Sequence, residues 1–267
     1  MADDVDNRIL DGWDPNATRQ FVESLAPIAR RWFRTEVRGM GSLAPTGGAL
    51  LVANHSGGML TPDVLILAAA FYNEFGYGRP LYTLGHDALF TGRLGLWQRR
   101  IGLIPASRTH AVEALRAGGI VLVFPGGLYD SFRPTLSANT IDFNGRTGYV
   151  KTAMEADVPI VPCVSIGGQE IQLFLTRGRW LAKRLGLRRF RADVLPISLG
   201  VPFGLSMIIP PNLPLPSRIV AQVSEPINIA AEFGQSPDVE VVDSRVRSVM
   251  QNTIDSLARE RRFPVLG

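Results

Sequence analysis

Three histidines occur in the chain, and one of them stands where a base is useful. His55 lies in Asn54-His55-Ser56-Gly57-Gly58, directly after the apolar run Ala49-Leu50-Leu51-Val52-Ala53. A buried strand that ends in a polar, glycine-rich turn is where open α/β sheets place ligand chemistry. Asp63 follows eight positions later. A carboxylate bonded to one imidazole nitrogen fixes the tautomer and raises the basicity of the other. The pair is read as a general base and its partner. His86, in Gly85-His86-Asp87, is read as structural or superficial, and His110, among polar neighbours at a helix start, as exposed.

A second strand end carries Phe124-Pro125-Gly126-Gly127-Leu128-Tyr129-Asp130-Ser131-Phe132-Arg133-Pro134. Paired glycines let backbone N–H groups approach an anion or a developing oxyanion closely. Gly126 and Gly127 are therefore candidate oxyanion donors, with Asp130 and Arg133 placed to orient a polar substrate. A third run, Gly102-Leu103-Ile104-Pro105-Ala106-Ser107-Arg108, is an apolar strand that delivers one arginine. The fourth, Val158-Pro159-Ile160-Val161-Pro162-Cys163, is almost wholly apolar and reads as packing.

These residues need a scaffold. Short strands are expected at Ala49–Ala53, Leu81–Leu84, Ile101–Pro105, Ile120–Phe124, Ile160–Ile166 and Ile219–Val223. Helical patterns fall at Val64–Tyr72, Ala111–Ala117 and Gly148–Ala156, with further helices expected over Glu170–Leu187 and Asp243–Arg261. Continuous apolar strands alternating with helices predict a mostly parallel central sheet covered on both faces. Residues 1–16 read as a polar lead-in, and 17–267 as a single α/β domain. An amphipathic helix, N-capped by Thr18, is expected through Phe21, Leu25, Ile28, Trp32 and Phe33.

Composition narrows the classes. With 46% hydrophobic and 19% charged residues in 267, the chain can bury a sizeable core, which excludes intrinsic disorder. One cysteine, Cys163, excludes a disulfide scaffold. The acidic start Met1-Ala2-Asp3-Asp4-Val5-Asp6 does not read as a secretory signal, and no apolar run reaches spanning length. Of the 28 basic residues only Lys151 and Lys183 are lysines. Between Arg177 and Arg191 seven cations and no acid are interleaved with Trp180, Leu181, Leu185, Leu187 and Phe190. Such a segment suits an anionic surface or an ordinary solvated face.

Taken in order, Asn54-His55 with Asp63, Gly102 to Arg108, Phe124-Pro125-Gly126-Gly127 and Val158 to Pro162 resemble the four blocks of the phospholipid/glycerol acyltransferase superfamily. The resemblance covers about residues 45–225 and is nearest to the branch of monoacylglycerol and diacylglycerol acyltransferases. Two features depart from the usual pattern. Seven residues separate His55 from Asp63 where the family has four, and Gly126 stands where it has a glutamate. Asp130 is the candidate to supply that carboxylate from a shifted position.

The resemblance implies transfer of a fatty acyl group from acyl-CoA, as co-substrate, to a glycerolipid hydroxyl. His55 would act as base, Asp63 as its partner and Arg108 as the phosphate-contacting arginine. No bound cofactor and no metal are expected. The partners implied are acyl-CoA, a glycerolipid acceptor and an anionic membrane surface met by the Thr18–Arg38 helix and the Arg177–Arg191 stretch. The expected location is cytoplasmic, peripheral at the inner face of the plasma membrane, with no nucleic-acid partner. The alternatives are a lipid or thioester hydrolase and a non-enzymatic membrane-lipid-binding protein. A serine hydrolase would need a Gly-x-Ser-x-Gly elbow, which the chain lacks.

Overall fold

A computed structural model of the chain describes residues 10–190, 193–261 and 263. The first nine residues of the expected lead-in, and Arg191 of the basic stretch, lie outside the described residues. Helix α1 spans Pro15–Pro27 and starts earlier than the sequence pattern suggests. It continues as a π-helical turn over Ile28–Trp32 and stops short of Arg38, since Glu36–Arg38 is a strand. Its N-cap is Asp14, whose carboxylate accepts the Asn16 and Ala17 N–H groups, while Thr18 is buried inside the first turn. Asp14 caps better because Pro15 at the first helical position gives up no hydrogen bond there.

Strand β1 (Glu36–Arg38) precedes β2 (Ala49–Ala53). Then come α2 (Pro62–Phe75), β3 (Leu81–Gly85), α3 (Gly92–Arg100), β4 (Leu103–Pro105), α4 (Arg108–Arg116) and β5 (Ile120–Val123). The short α5 (Gly127–Ser131) is followed by α6 (Gly148–Ala156) and β6 (Ile160–Ile166). Next come β7 (Leu173–Thr176), α7 (Arg179–Arg184), β8 (Ile197–Gly200) and β9 (Gly204–Ser206). Strand β10 (Val220–Val223), α8 (Ile229–Phe233) and α9 (Val239–Glu260) complete the order.

The main sheet runs β1-β10-β6-β2-β5-β3-β4. All neighbours are parallel except β10 against β6. β2 shows why its sequence is apolar without alternation. Leu50 and Val52 enter one core with residues of α4, α6 and α9, whereas Ala49, Leu51 and Ala53 enter the other with residues of α1 and α2. A strand covered on both faces has no side left for polar residues. The result is the expected α/β domain with a mostly parallel sheet.

The helix expected over Glu170–Leu187 does not form as such. Leu173–Thr176 pairs with β8 in a second sheet of order β7-β8-β9, and only Arg179–Arg184 is helical. Gly178 separates them at φ +59°, so close to the Leu195 carbonyl oxygen that a Cβ would lie 1.8 Å from it. His110 also departs from expectation: it is buried in α4, with Nδ1 3.5 Å from the Pro105 carbonyl oxygen.

Candidate active site

Parallel pairing aligns the carboxyl ends of β2, β5, β3, β4 and β6 along one edge, with Val52 opposite both Val123 and Pro162. The residue after β2 begins the site. Asn54 uses its amide as one more rung of the sheet, donating to the Ser165 carbonyl at 3.0 Å and accepting the Ser165 N–H at 2.7 Å. His55 therefore leaves the sheet from a fixed point.

The turn then folds back through Gly57, at φ +83°, where a Cβ would meet Pro62 at 2.5 Å. This reversal brings the His55 Nδ1 to 2.8 Å from Asp63 Oδ2. Asp63 is buried in the first turn of α2 and is itself held. Its Oδ2 also accepts the Ser56 N–H at 2.7 Å, and its Oδ1 the Val64 N–H at 3.0 Å. The imidazole stacks on Phe124 with ring centroids 4.3 Å apart. Burial works against charging the ring, but the Asp63 charge and hydrogen bond, aided by Asp130, outweigh it and hold the His55 pKa above its ordinary value. With Nδ1 committed to Asp63, Nε2 is the nitrogen available to take a proton.

Asp130 and Arg133 sit beside this pair, bonded to each other and, through Asp130, to the His55 backbone. Both are fully buried, and Asp130 Oδ1 accepts a hydrogen bond from Arg133 Nη1. Asp130 Oδ2 accepts the backbone N–H of His55 at 2.6 Å. The carboxylate thus braces the histidine through its backbone. Arg133 keeps Nε and Nη2 without a hydrogen-bond partner among the described residues.

Gly126 is demanded by this arrangement, because a Cβ there would lie 2.3 Å from the Asp130 Cβ. A glutamate at 126 and an aspartate at 130 could not share the turn as it is built. Gly127, expected as an oxyanion donor, spends its N–H on the Phe124 carbonyl oxygen at 3.0 Å. That leaves the Gly126 N–H, for which the described residues supply no acceptor. Arg108 opens α4 after β4, capped by Ser107, and is exposed. It shares the sheet edge with His55 but lies three strands away, on the order of 14 Å at ordinary strand spacing.

Two buttressing residues carried no signal in the sequence. Gln169 is buried and accepts the Gly57 N–H at 2.7 Å through Oε1, while Nε2 donates to the Arg133 carbonyl. Arg146 Nη1 donates to the Pro125 and Gly126 carbonyls at 3.2 and 3.0 Å, holding the Pro-Gly-Gly turn from outside. Among the described residues no group of three or more His, Cys, Asp or Glu is arranged to hold a metal ion.

Fold and site together define the class: an α/β protein with a His–Asp pair braced at the carboxyl edge of a mostly parallel sheet. The sequence profile of the acyltransferase family matches residues 34–166, which include every one of these site residues except Gln169. Uncharacterized proteins of Mycobacterium leprae and Mycobacterium tuberculosis are similar along nearly the whole chain. The first is 34% identical over 263 residues, covering 96% of this chain and 69% of its own. The second is 33% identical over 262 residues, covering 96% and 71%. A bovine protein named DGAT1/2-independent enzyme synthesizing storage lipids is 25% identical over 201 residues, 72% of this chain and 55% of that one. The crystal structure of the 1-acyl-sn-glycerophosphate (LPA) acyltransferase PlsC from Thermotoga maritima has the same fold, with a TM-score of 0.56 at 16% identity over 89% of this chain and 79% of that one. This chain belongs to the acyltransferase family.

Proposed function

We propose that the protein transfers a fatty acyl group from acyl-CoA to the hydroxyl of a glycerolipid at an anionic membrane surface. The observation that carries this reading is the 2.8 Å contact of His55 Nδ1 with a buried Asp63, which commits one ring nitrogen and leaves the other as a base. Nε2 of His55 takes the acceptor's hydroxyl proton as the oxygen attacks the thioester carbonyl. Asp63 stabilises the imidazolium that forms. The tetrahedral oxyanion is met by the Gly126 N–H and by the positive field of Arg133. When the intermediate collapses, the C–S bond breaks and the imidazolium returns its proton to the CoA thiolate. General-base assistance of this kind is worth roughly 10²–10⁴-fold, and an oxyanion donor roughly 10²–10³-fold.

A glycerolipid acceptor is supported by what the similar proteins are named for: one acts on an acylated glycerophosphate and the other synthesises storage lipids. Arg108 contacts a phosphate of acceptor or donor from its place along the same edge. The protein works from the cytoplasmic side, attached peripherally; no described helix is long and apolar enough to cross a membrane. The test is purified protein with labelled acyl-CoA against lysophosphatidate, monoacylglycerol, diacylglycerol and sugar lipids, read by lipid mass spectrometry. An acylated glycerolipid is the expected product. Free fatty acid released at the same rate with and without acceptor would make it a thioester hydrolase instead.

A further inference from the structure

The second sheet is inside out. In an antiparallel sheet with one covered face, apolar residues point in and polar ones out. Here Ser198 and Ser206 point in, at 4% and 7% exposure, while Leu199 and Leu205 point out, at 44% and 67%. Register places Leu173 opposite Leu199 and Leu199 opposite Leu205, so three leucines form one outward row across the three strands. Leu175 continues it along β7, and the turn between β8 and β9 adds exposed Val201 and Phe203. A contiguous apolar surface of this kind is rare on a protein that meets only water.

The inverted pattern is built in. The inward hydroxyls face each other at 3.3 Å, and buried Asn212 donates to Ser206 Oγ at 2.8 Å. The same side chain accepts the Phe203 N–H at 3.0 Å and donates to the Gly204 carbonyl at 3.0 Å, fixing the tip that presents Phe203. Of β7, only Phe174 is buried; its ring packs against Phe132 and lies where a Cβ on Gly58 would be 3.0 Å away. The outward leucines are therefore fixed beside the turn that carries His55. At the other end of the strands, α7 and the residues after it expose Trp180, Arg179, Lys183, Arg184 and Arg189. No Asp or Glu occurs from Ile171 to Arg191.

We infer that the outer face of β7-β8-β9, with the β8–β9 turn inserted and the α7 cations at the headgroups, is the surface by which the protein docks on an anionic phospholipid bilayer. An apolar face beside cations without acids matches a hydrocarbon layer under anionic headgroups. The choice of lipid over a protein partner rests on the acyl-transfer reading, since the face adjoins a site whose substrates carry acyl chains.

The test is co-sedimentation of the full chain with vesicles of phosphatidylcholine alone or mixed with phosphatidylglycerol. Phe203→Asn with Leu205→Asn should cut partitioning at least roughly tenfold at low and high salt alike, because burying two large apolar side chains is lost. Lys183→Gln, Arg184→Gln and Arg189→Gln together should cut binding to the mixed vesicles roughly a hundredfold at low salt and little at high salt. Thermal melts check that each variant folds. As a measurement free of any variant, mixed vesicles should slow amide exchange across residues 199–205 of the wild type. Unchanged exchange there, or vesicle binding by the folded Phe203/Leu205 variant equal to wild type, overturns the inference. So does a wild-type dimer in sedimentation velocity that this variant turns into a monomer, which would give the face to a second copy. Vesicle binding that depends on the face in a protein inactive on every acceptor would support the surface and refute the acyl-transfer reading alone.

Discussion

His55 can serve as a base only while its ring is neutral, and Asp63 sets the pH at which that holds. Because the Asp63 carboxylate raises the folded pKa of His55 above its ordinary value, the acid limb of the pH–rate profile should lie above about 6.5. Activity is lost as pH falls through that limb, where the imidazole takes its proton. Asp63→Asn removes the charge that favours the imidazolium and leaves burial to oppose it, so the limb should move to lower pH while the plateau falls. His55→Ala should lower kcat by roughly 10²–10⁴-fold without a matching loss of stability. A plateau near the wild-type value in His55→Ala would remove the histidine from the chemistry. His55 and Asp63 were legible in the sequence because eight positions and two glycines bring them together within a single turn. Gln169 was not, since it acts on Gly57 from 112 positions away and means nothing until β6 is laid beside β2.

At the scale of elements, the turn from β5 into α5 is what braces the histidine, through Asp130. Asp130→Ala leaves the Arg133 guanidinium buried without its carboxylate, a change that costs on the order of 3–5 kcal/mol in comparable buried pairs. Denaturant unfolding should show that loss, and activity should fall with it because the His55 backbone N–H loses its acceptor. Gly126→Ala should be damaging too, since its Cβ would overlap the Asp130 Cβ, whereas Gly148→Ala, in open space at the first position of α6, should be neutral or slightly stabilising. Equal melting temperatures for the two alanine variants would mean the turn relaxes freely. The sequence pattern makes the five parallel strands visible because each carries a continuous apolar run. It hides β7, β8 and β9 for the opposite reason: they are short, and their leucines face away from the core. Ile171, Phe174 and Leu175, then Leu181, Ala182 and Leu185, fall three and four apart, and that spacing is why Glu170–Leu187 reads as a helix.

At the scale of the whole molecule, one edge gathers everything the proposed reaction needs. His55, the Pro-Gly-Gly turn and Arg108 all follow the carboxyl ends of parallel strands, and exposed Met59, Leu60, Leu89 and Leu128 follow the ends of β2, β3 and β5. The inverted sheet lies against the same turn. If that edge faces a bilayer, the enzyme does not draw its acceptor from bulk solution but samples the lipids in the surface beneath it. Its rate should then track the mole fraction of acceptor in the vesicle. Diluting monoacylglycerol or lysophosphatidate with inert phosphatidylcholine, at constant bulk acceptor and constant phosphatidylglycerol fraction, should slow turnover in proportion. Adding more vesicles of unchanged composition, once all the protein is bound, should leave the rate unchanged. Short-chain, freely soluble donor and acceptor should show neither effect, because they reach Nε2 of His55 without a surface. A rate that follows bulk acceptor concentration whatever the surface dilution would mean that the edge faces water, and that the apolar residues around it serve some other contact.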